Sequence, residues 1–274
     1  MAGEEWARRI VQNALGIAVH INDDNSMPGM YDLRIGSKNA PAVAIECVGA
    51  VDPTYTETWN VGPAKGPLAL PVVGDWIVEI APTARVKHVK QGLGQFLMKL
   101  EARSILNFSH RHWLHPNDDM LFDEMDKLGV IHASCYRTPG IGNVSLTMPG
   151  AGGCVDDRGT KLPKWLGDFL RDSRQADVLS KLQGSGTKNC HAFVIAAFVG
   201  VPWAVESYLT GPLNNVPNDP ADLPLPVTEA WVVSGFGSRG LHWNGSAWRI
   251  VATRGKAIDD PQHVVGPERG STPL

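Results

Sequence analysis

The sequence predicts an α/β protein, on three observations. Short runs rich in Val, Ile, Ala and Trp alternate along the chain with longer stretches of helical periodicity. The 29 glycines and 20 prolines cut the chain into many short elements joined by loops. The 274 residues are enough for one large domain or two modest ones. A folded chain of this length buries roughly three-quarters of its unfolded surface, so it needs neither disulfides nor a structural metal to be stable.

Composition narrows the classes further. A hydrophobic content of 43%, nine tryptophans and a net charge of only −3 exclude a wholly disordered chain. The charge balance also lacks the basic excess of a dedicated nucleic-acid binder and leaves room only for a local basic patch. The first twenty residues carry Glu4, Glu5, Arg8 and Arg9 and do not read as a signal peptide. No run of 18 apolar residues occurs, so no membrane span is expected. Cys47, Cys135, Cys154 and Cys190 are far apart with no C-x-x-C pair, which fits a cytoplasmic protein with reduced thiols.

The elements follow in order. Residues 3–15 form a helix whose inward stripe is Trp6, Ile10, Val11 and Ala14, ended by Gly16. A short strand over 17–21 and a turn-rich stretch over 22–29 come next. Strands over 31–35 and 42–48 flank the loop 36–41, forming a hairpin. Asp52-Pro53 supplies an N-cap and a Pro at the first helical position for a short helix to Trp59. Residues 61–74 are loop and 76–80 a strand, and Pro82 opens a helix to Arg103. Residues 107–116 are irregular and 120–128 helical. Strands 130–137 and 143–148 read as a hairpin about Pro139-Gly140. Residues 162–182 form a helix or helix pair, 191–199 a buried strand and 203–209 a short helix. Five prolines mark 212–226 as an extended loop. Strands over 230–234 and 240–251 close the fold as an antiparallel sheet, and 254–274 read as a flexible tail.

The most informative stretch is the hairpin Met30–Ile35 with Val43–Val48. Pairing the two strands about Asn39 sets Leu33 against Ile45, Ile35 against Val43, and Asp32 against Glu46. Side chains alternate faces, so Leu33, Ile35, Val43, Ile45 and Cys47 form an apolar face, and Asp32, Arg34, Ala44 and Glu46 share the other. Two carboxylates about 5 Å apart repel. A divalent cation relieves that repulsion, and Mg²⁺ is held by one or two carboxylates plus water and phosphate oxygens. Glu4 or Glu5 in the preceding helix is a candidate third ligand. The alternative is structural, with Arg34 pairing diagonally to Glu46 and Asp32 bonding a neighbouring loop.

An acid-bearing helix, then Pro28-Gly29-Met30-Tyr31-Asp32 and Glu46-Cys47-Val48 on a hairpin, then further helix and strand, resembles the PD-(D/E)xK nuclease-like core with its αβββαβ order. The likeness spans residues 3–103 and rests on short motifs. It implies that Asp32 and Glu46 hold Mg or Mn, and that a lysine two residues after the glutamate orients or activates water. This chain has Val48 there. Lys38, Arg34 or a cation of the 82–103 helix (Lys87, Lys90, Lys99) is then the candidate replacement. The Asp32-Leu33-x-Ile35 and Glu46-x-Val48 pattern, with His191-Ala192-Phe193, is also similar to a set of actinobacterial proteins, a likeness that implies no activity.

Other signals are weaker. Arg85, Lys87 and Lys90 form the best basic patch and are candidate phosphate contacts. His110, His112 and His115 cluster without the spacing of a zinc motif. Cys190 and His191 are adjacent, so on a strand they face opposite ways and cannot form a thiolate–imidazole pair. Asp118-Asp119 and Asp156-Asp157 read as helix-preceding caps. Trp231, Phe236, Trp243 and Trp248 read as core packing. The expectation is an αβββαβ core over 1–105, a helix-and-sheet portion over 106–253, and a tail. The expected function is a Mg/Mn-dependent nuclease. The alternatives are a nuclease-like scaffold that binds protein or nucleic acid without cleavage, and a subunit of a homo-oligomer or larger assembly.

Overall fold

The computed structural model describes residues 2–24, 26–109, 119–150, 153, 155–196, 200–212, 215–235, 237 and 239–253. The chain is α/β and divides into two compact units. The first contributes α1 (Ala2–Leu15), β1 (Val19–Ile21), β2 (Leu33–Gly36) and β3 (Pro41–Ala50). The second is built almost wholly from Val51–Gly152. It holds α2 (Pro53–Val61), β4 (Leu68–Ala69), β5 (Asp75–Ile80), α3 (Val86–Ala102), β6 (Asn107–Ser109), α4 (Asp119–Leu128), β7 (Val130–Arg137) and β8 (Asn143–Thr147). The first unit then resumes with α5 (Leu162–Arg171), α6 (Ala176–Gly184), β9 (Cys190–Ala196), α7 (Trp203–Thr210), β10 (Glu229–Ser234), β11 (Arg239–Trp243) and β12 (Trp248–Ala252).

In the first unit, seven strands form one sheet in the order β1-β2-β3-β9-β10-β11-β12. The outer pairs are antiparallel, while β3, β9 and β10 run parallel at the centre. Central parallel strands are covered on both faces, which explains the nearly unbroken apolar run of β9. Ile45, Phe193, Trp231 and Val233 pack under Ala7, Ile10 and Val11 of α1. Ala44, Ala192, Val194 and Val232 pack against Leu166 of α5, Val178 and Leu182 of α6, and Val205 and Leu209 of α7. The proline-rich stretch meets α5 at Asp222, where Arg171 donates to the Asp222 carboxylate at 2.7 Å. Trp231, Trp243 and Trp248 are buried, as expected of core packing.

In the second unit the sheet order is β4-β8-β5-β7-β6. Trp76, Val78 and Ile80 alternate inward onto Leu93, Phe96, Leu97 and Leu100 of α3 and Leu121 and Met125 of α4. Asp52 caps α2 by accepting from Tyr55 N at 3.1 Å, the role its sequence context predicts.

Five expectations are corrected. Strand β5 does not join the carboxylate hairpin, because its neighbours are β8 and β7. The compact units therefore part at Ala50 and Gly153, not near residue 105. β7 and β8 are not a hairpin. The Asp75 carboxylate accepts from Ile141 N at 2.8 Å and Asn143 N at 3.0 Å, leading the chain past the end of β5 so that β8 pairs on its far side. α3 begins at Val86, not at Pro82, and residues 107–109 are a strand. The tail 254–274, Phe236, Cys154, Asp118 and the His110/His112/His115 cluster lie outside the described residues.

Candidate active site

The observed β2–β3 register sets Leu33 against Ile45, Arg34 against Ala44 and Ile35 against Val43, as the alternation predicts. Leu33 and Ile45 belong to the α1 side of the sheet and Ala44 to the α5–α6 side. Glu46 therefore points to the α5–α6 side, and Asp32 lies beside it just ahead of β2.

The two acids are held by reciprocal bonds. Asp32 N donates to Glu46 Oε2 at 3.2 Å, and Cys47 N donates to Asp32 Oδ2 at 2.7 Å. Asn22 fixes the strand entry, its N donating to Asp32 O at 2.7 Å and its Nδ2 to Tyr31 O at 3.1 Å. Both acids are buried, Asp32 at 7% exposure and Glu46 at 3%.

The residue that completes the site is Lys181 of α6. Its Nζ lies 2.8 Å from Glu46 Oε1 and 3.4 Å from Asp177 Oδ2. Burial raises the Glu46 carboxyl to about 7, with the charge of Asp32 adding to the rise and the Lys181 ammonium opposing it. Burial likewise raises Asp32, against the Cys47 N–H that favours its charged form, and the charge of Glu4 adds to that rise. Lys181 itself is driven upward, chiefly by its hydrogen bond to Glu46, and stays protonated throughout the physiological range.

Several residues that the sequence pattern singles out fall elsewhere. Glu5 is engaged by Arg8 at 2.7 Å and Arg9 at 2.8 Å, which hold its carboxyl down near 2. Glu4 is thus the acid of α1 whose charge reaches Asp32. Arg34 donates to the Gly36 carbonyl rather than to Glu46. Lys38 pairs with Asp24 at 3.5 Å. Lys87, Lys90 and Lys99 belong to the second unit, with Lys99 on Glu124 at 2.6 Å. Val48 packs into the apolar layer against α5–α7. Cys190 and His191 face opposite sides, as expected. Asp156 accepts from Arg158 N and Lys161 N, a cap-like role ahead of α5.

A second polar cluster lies on the α1 side of the same sheet. His242 Nε2 sits 2.7 Å and His191 Nε2 3.5 Å from one oxygen, Glu229 Oε2. The Trp231 indole N–H donates to His191 Nδ1 at 3.4 Å. An indole only donates, so Nδ1 is the acceptor and the His191 proton is on Nε2, toward Glu229. Trp231 also stacks on His242, with centroids 3.6 Å apart and planes at 5°.

No three His, Cys, Asp or Glu side chains among the described residues come together as a self-sufficient metal cage. No described helix is long and apolar enough to cross a membrane. Comparison with known protein families, curated proteins and solved structures finds nothing that matches this chain.

Proposed function

We propose that the first unit is a divalent-metal-dependent phosphodiester hydrolase, a nuclease with a PD-(D/E)xK-like core. The observation that carries this reading is Lys181 Nζ on Glu46 Oε1 at 2.8 Å, beside Asp32. The topology adds support. Helix α1, the antiparallel strands β1–β3, helices α5–α6, and β9 parallel to β3 reproduce the αβββαβ succession if the second unit is an insertion between β3 and α5. In the family pattern the lysine follows the glutamate by two residues on the same face. Val48 fills that position with apolar packing, and Lys181 presents an ammonium to the same glutamate from α6.

Two carboxylates offer hard oxygen donors that fit Mg²⁺ or Mn²⁺ with the remaining ligands from water and substrate. Such an ion supplies polarisation of a phosphoryl oxygen and activation of water. Asp32 and Glu46 would hold it, and Glu4 adds negative charge near Asp32 without joining them as a third ligand among the described residues. Lys181 keeps the Glu46 carboxylate oriented, and its remaining N–H can hold an attacking water or a phosphate oxygen. Glu46 must be ionised to ligate, so binding strengthens as pH rises through about 7.

Thermal unfolding with and without millimolar Mn²⁺ tests the reading. Wild type gains stability by linkage, and Asp32→Ala does not. An equal shift in both, or none in either, contradicts it. A specific observation favours a second reading, a scaffold without cleavage. Lys181 already neutralises Glu46, an internal ion pair that satisfies the site with no cation. In that case Mn²⁺ leaves unfolding unchanged and Lys181→Ala, by freeing Glu46, makes it metal-sensitive.

A further inference from the structure

The second unit carries a concave cationic surface that includes none of the carboxylate-site residues. A shallow cavity of about 550 Å³ is lined by Val61, Arg85, Val86, Lys87, Lys90 and Gln91. Arg85, Lys87 and Lys90 are exposed and have no carboxylate partner among the described residues, in contrast to Lys99 further along the same helix. No acid lines the cavity. The first turn of α3 is also free of acid, and Arg85 at its N-cap makes no capping side-chain bond, so nothing in that turn offsets the positive charge. Lys90 donates to the Val61 carbonyl at the end of α2 at 3.0 Å, which anchors its ammonium at the rim.

We propose that this surface binds the phosphate backbone of a nucleic acid. Arg85 is the N-cap of α3 and Lys90 lies in its second turn, about 7 Å further along the axis. Cations spread over that distance suit the separate phosphates of a polyanion better than one small ion. A protein partner is a poorer fit, because the lining lacks the aromatic anchors of protein interfaces. Binding at this surface stands whether or not the first unit cleaves.

Fluorescence anisotropy with a short labelled duplex and a labelled single strand, in EDTA, tests the proposal. Three phosphate contacts contribute about −2.7 to the slope of log affinity against log salt for a duplex. The triple variant Arg85→Ala/Lys87→Ala/Lys90→Ala, shown to be folded by circular dichroism, should lose most of that slope. Between about 50 and 200 mM salt, wild type should then lose about 40-fold more affinity than the variant. The charge-conserving Arg85→Lys/Lys87→Arg/Lys90→Arg variant keeps the wild-type slope. Cleavage plays no part in an assay run in EDTA, so a failure of the cleavage reading stays distinguishable. An unchanged slope in the triple variant overturns the proposal, as does the absence of wild-type binding to either probe. So does a poly-glutamate peptide that displaces the duplex at equal charge, which points to an acidic protein instead.

Discussion

Asp32 and Glu46 are fastened to each other through the backbone. The Asp32 N–H donates to Glu46 Oε2 at 3.2 Å, and the N–H of Cys47, next to Glu46, returns a bond to Asp32 Oδ2 at 2.7 Å. Two buried like charges are thereby kept side by side, with the Lys181 ammonium as counter-charge on Glu46. Each acid is raised by burial, so the arrangement is costly unless something positive is bound there.

The cost sets a pH dependence. The Glu46 carboxyl moves from 4.5 to about 7 on folding, so the folded state holds the proton more tightly. Stability contributed by this group is full below pH 4.5 and falls as pH rises to 7, by about 3 kcal/mol at most. Glu46→Gln should flatten this part of the stability–pH curve. A slope identical to wild type between pH 5 and 7 would show that Glu46 ionises freely.

His191 acts in the opposite sense. Burial lowers it to about 4 despite the Glu229 carboxylate. The unfolded chain binds the proton more readily, so the contribution is full above pH 6.5 and is lost as pH falls to 4, by about 3 kcal/mol at most. Histidine ring signals in an NMR pH titration should show His191 neutral at pH 5.5 with its proton on Nε2. Removal of the acid-limb slope by His191→Gln checks the same assignment.

Losing Lys181 uncovers a buried carboxylate. Lys181→Ala should destabilise the protein by about 2–3 kcal/mol at pH 8, since a hydrogen-bonded charge is left unpaired, and by less at pH 5 where Glu46 is protonated. Urea titrations at the two pH values measure the difference. Equal losses would mean that Lys181 contributes through its alkyl packing.

Gly167 tests the docking of the proline-rich loop on α5. A Cβ there would overlap the Asp222 carbonyl oxygen and the Arg171 guanidinium. Gly167→Ala, favourable for an isolated helix, should instead destabilise by about 1–3 kcal/mol. An unchanged or higher midpoint of thermal unfolding would show that the loop yields without cost.

The carboxylate pair is legible in the sequence because it is local. Alternating apolar residues on 33–35 and 43–47 fix a register, and the register fixes which acids meet. Lys181 is not legible there, as it stands 135 residues from Glu46, across an inserted unit and on another helix. One trace of it is present in the sequence. Val178 and Leu182 face inward, and Lys181 sits between them and the solvent face, half-buried on a helix that covers a strand bearing an acid. Strand β5 misleads because strands close in sequence are usually neighbours in space. Its alternation of Trp76, Val78 and Ile80 is equally suited to either sheet, and only the pairings with β7 and β8 decide between them.

If Asp32, Glu46 and Lys181 form one catalytic group, removing either side of it must abolish or cripple cleavage. The direct test is cutting of labelled plasmid, single-stranded DNA and RNA in Mn²⁺ by wild type, Asp32→Ala/Glu46→Ala and Lys181→Ala. Wild type should cut at least one substrate, the double variant none, and loss of Lys181 should slow cutting by about 10²-fold or more. No cutting by wild type, or equal cutting by all three proteins, would contradict the assignment.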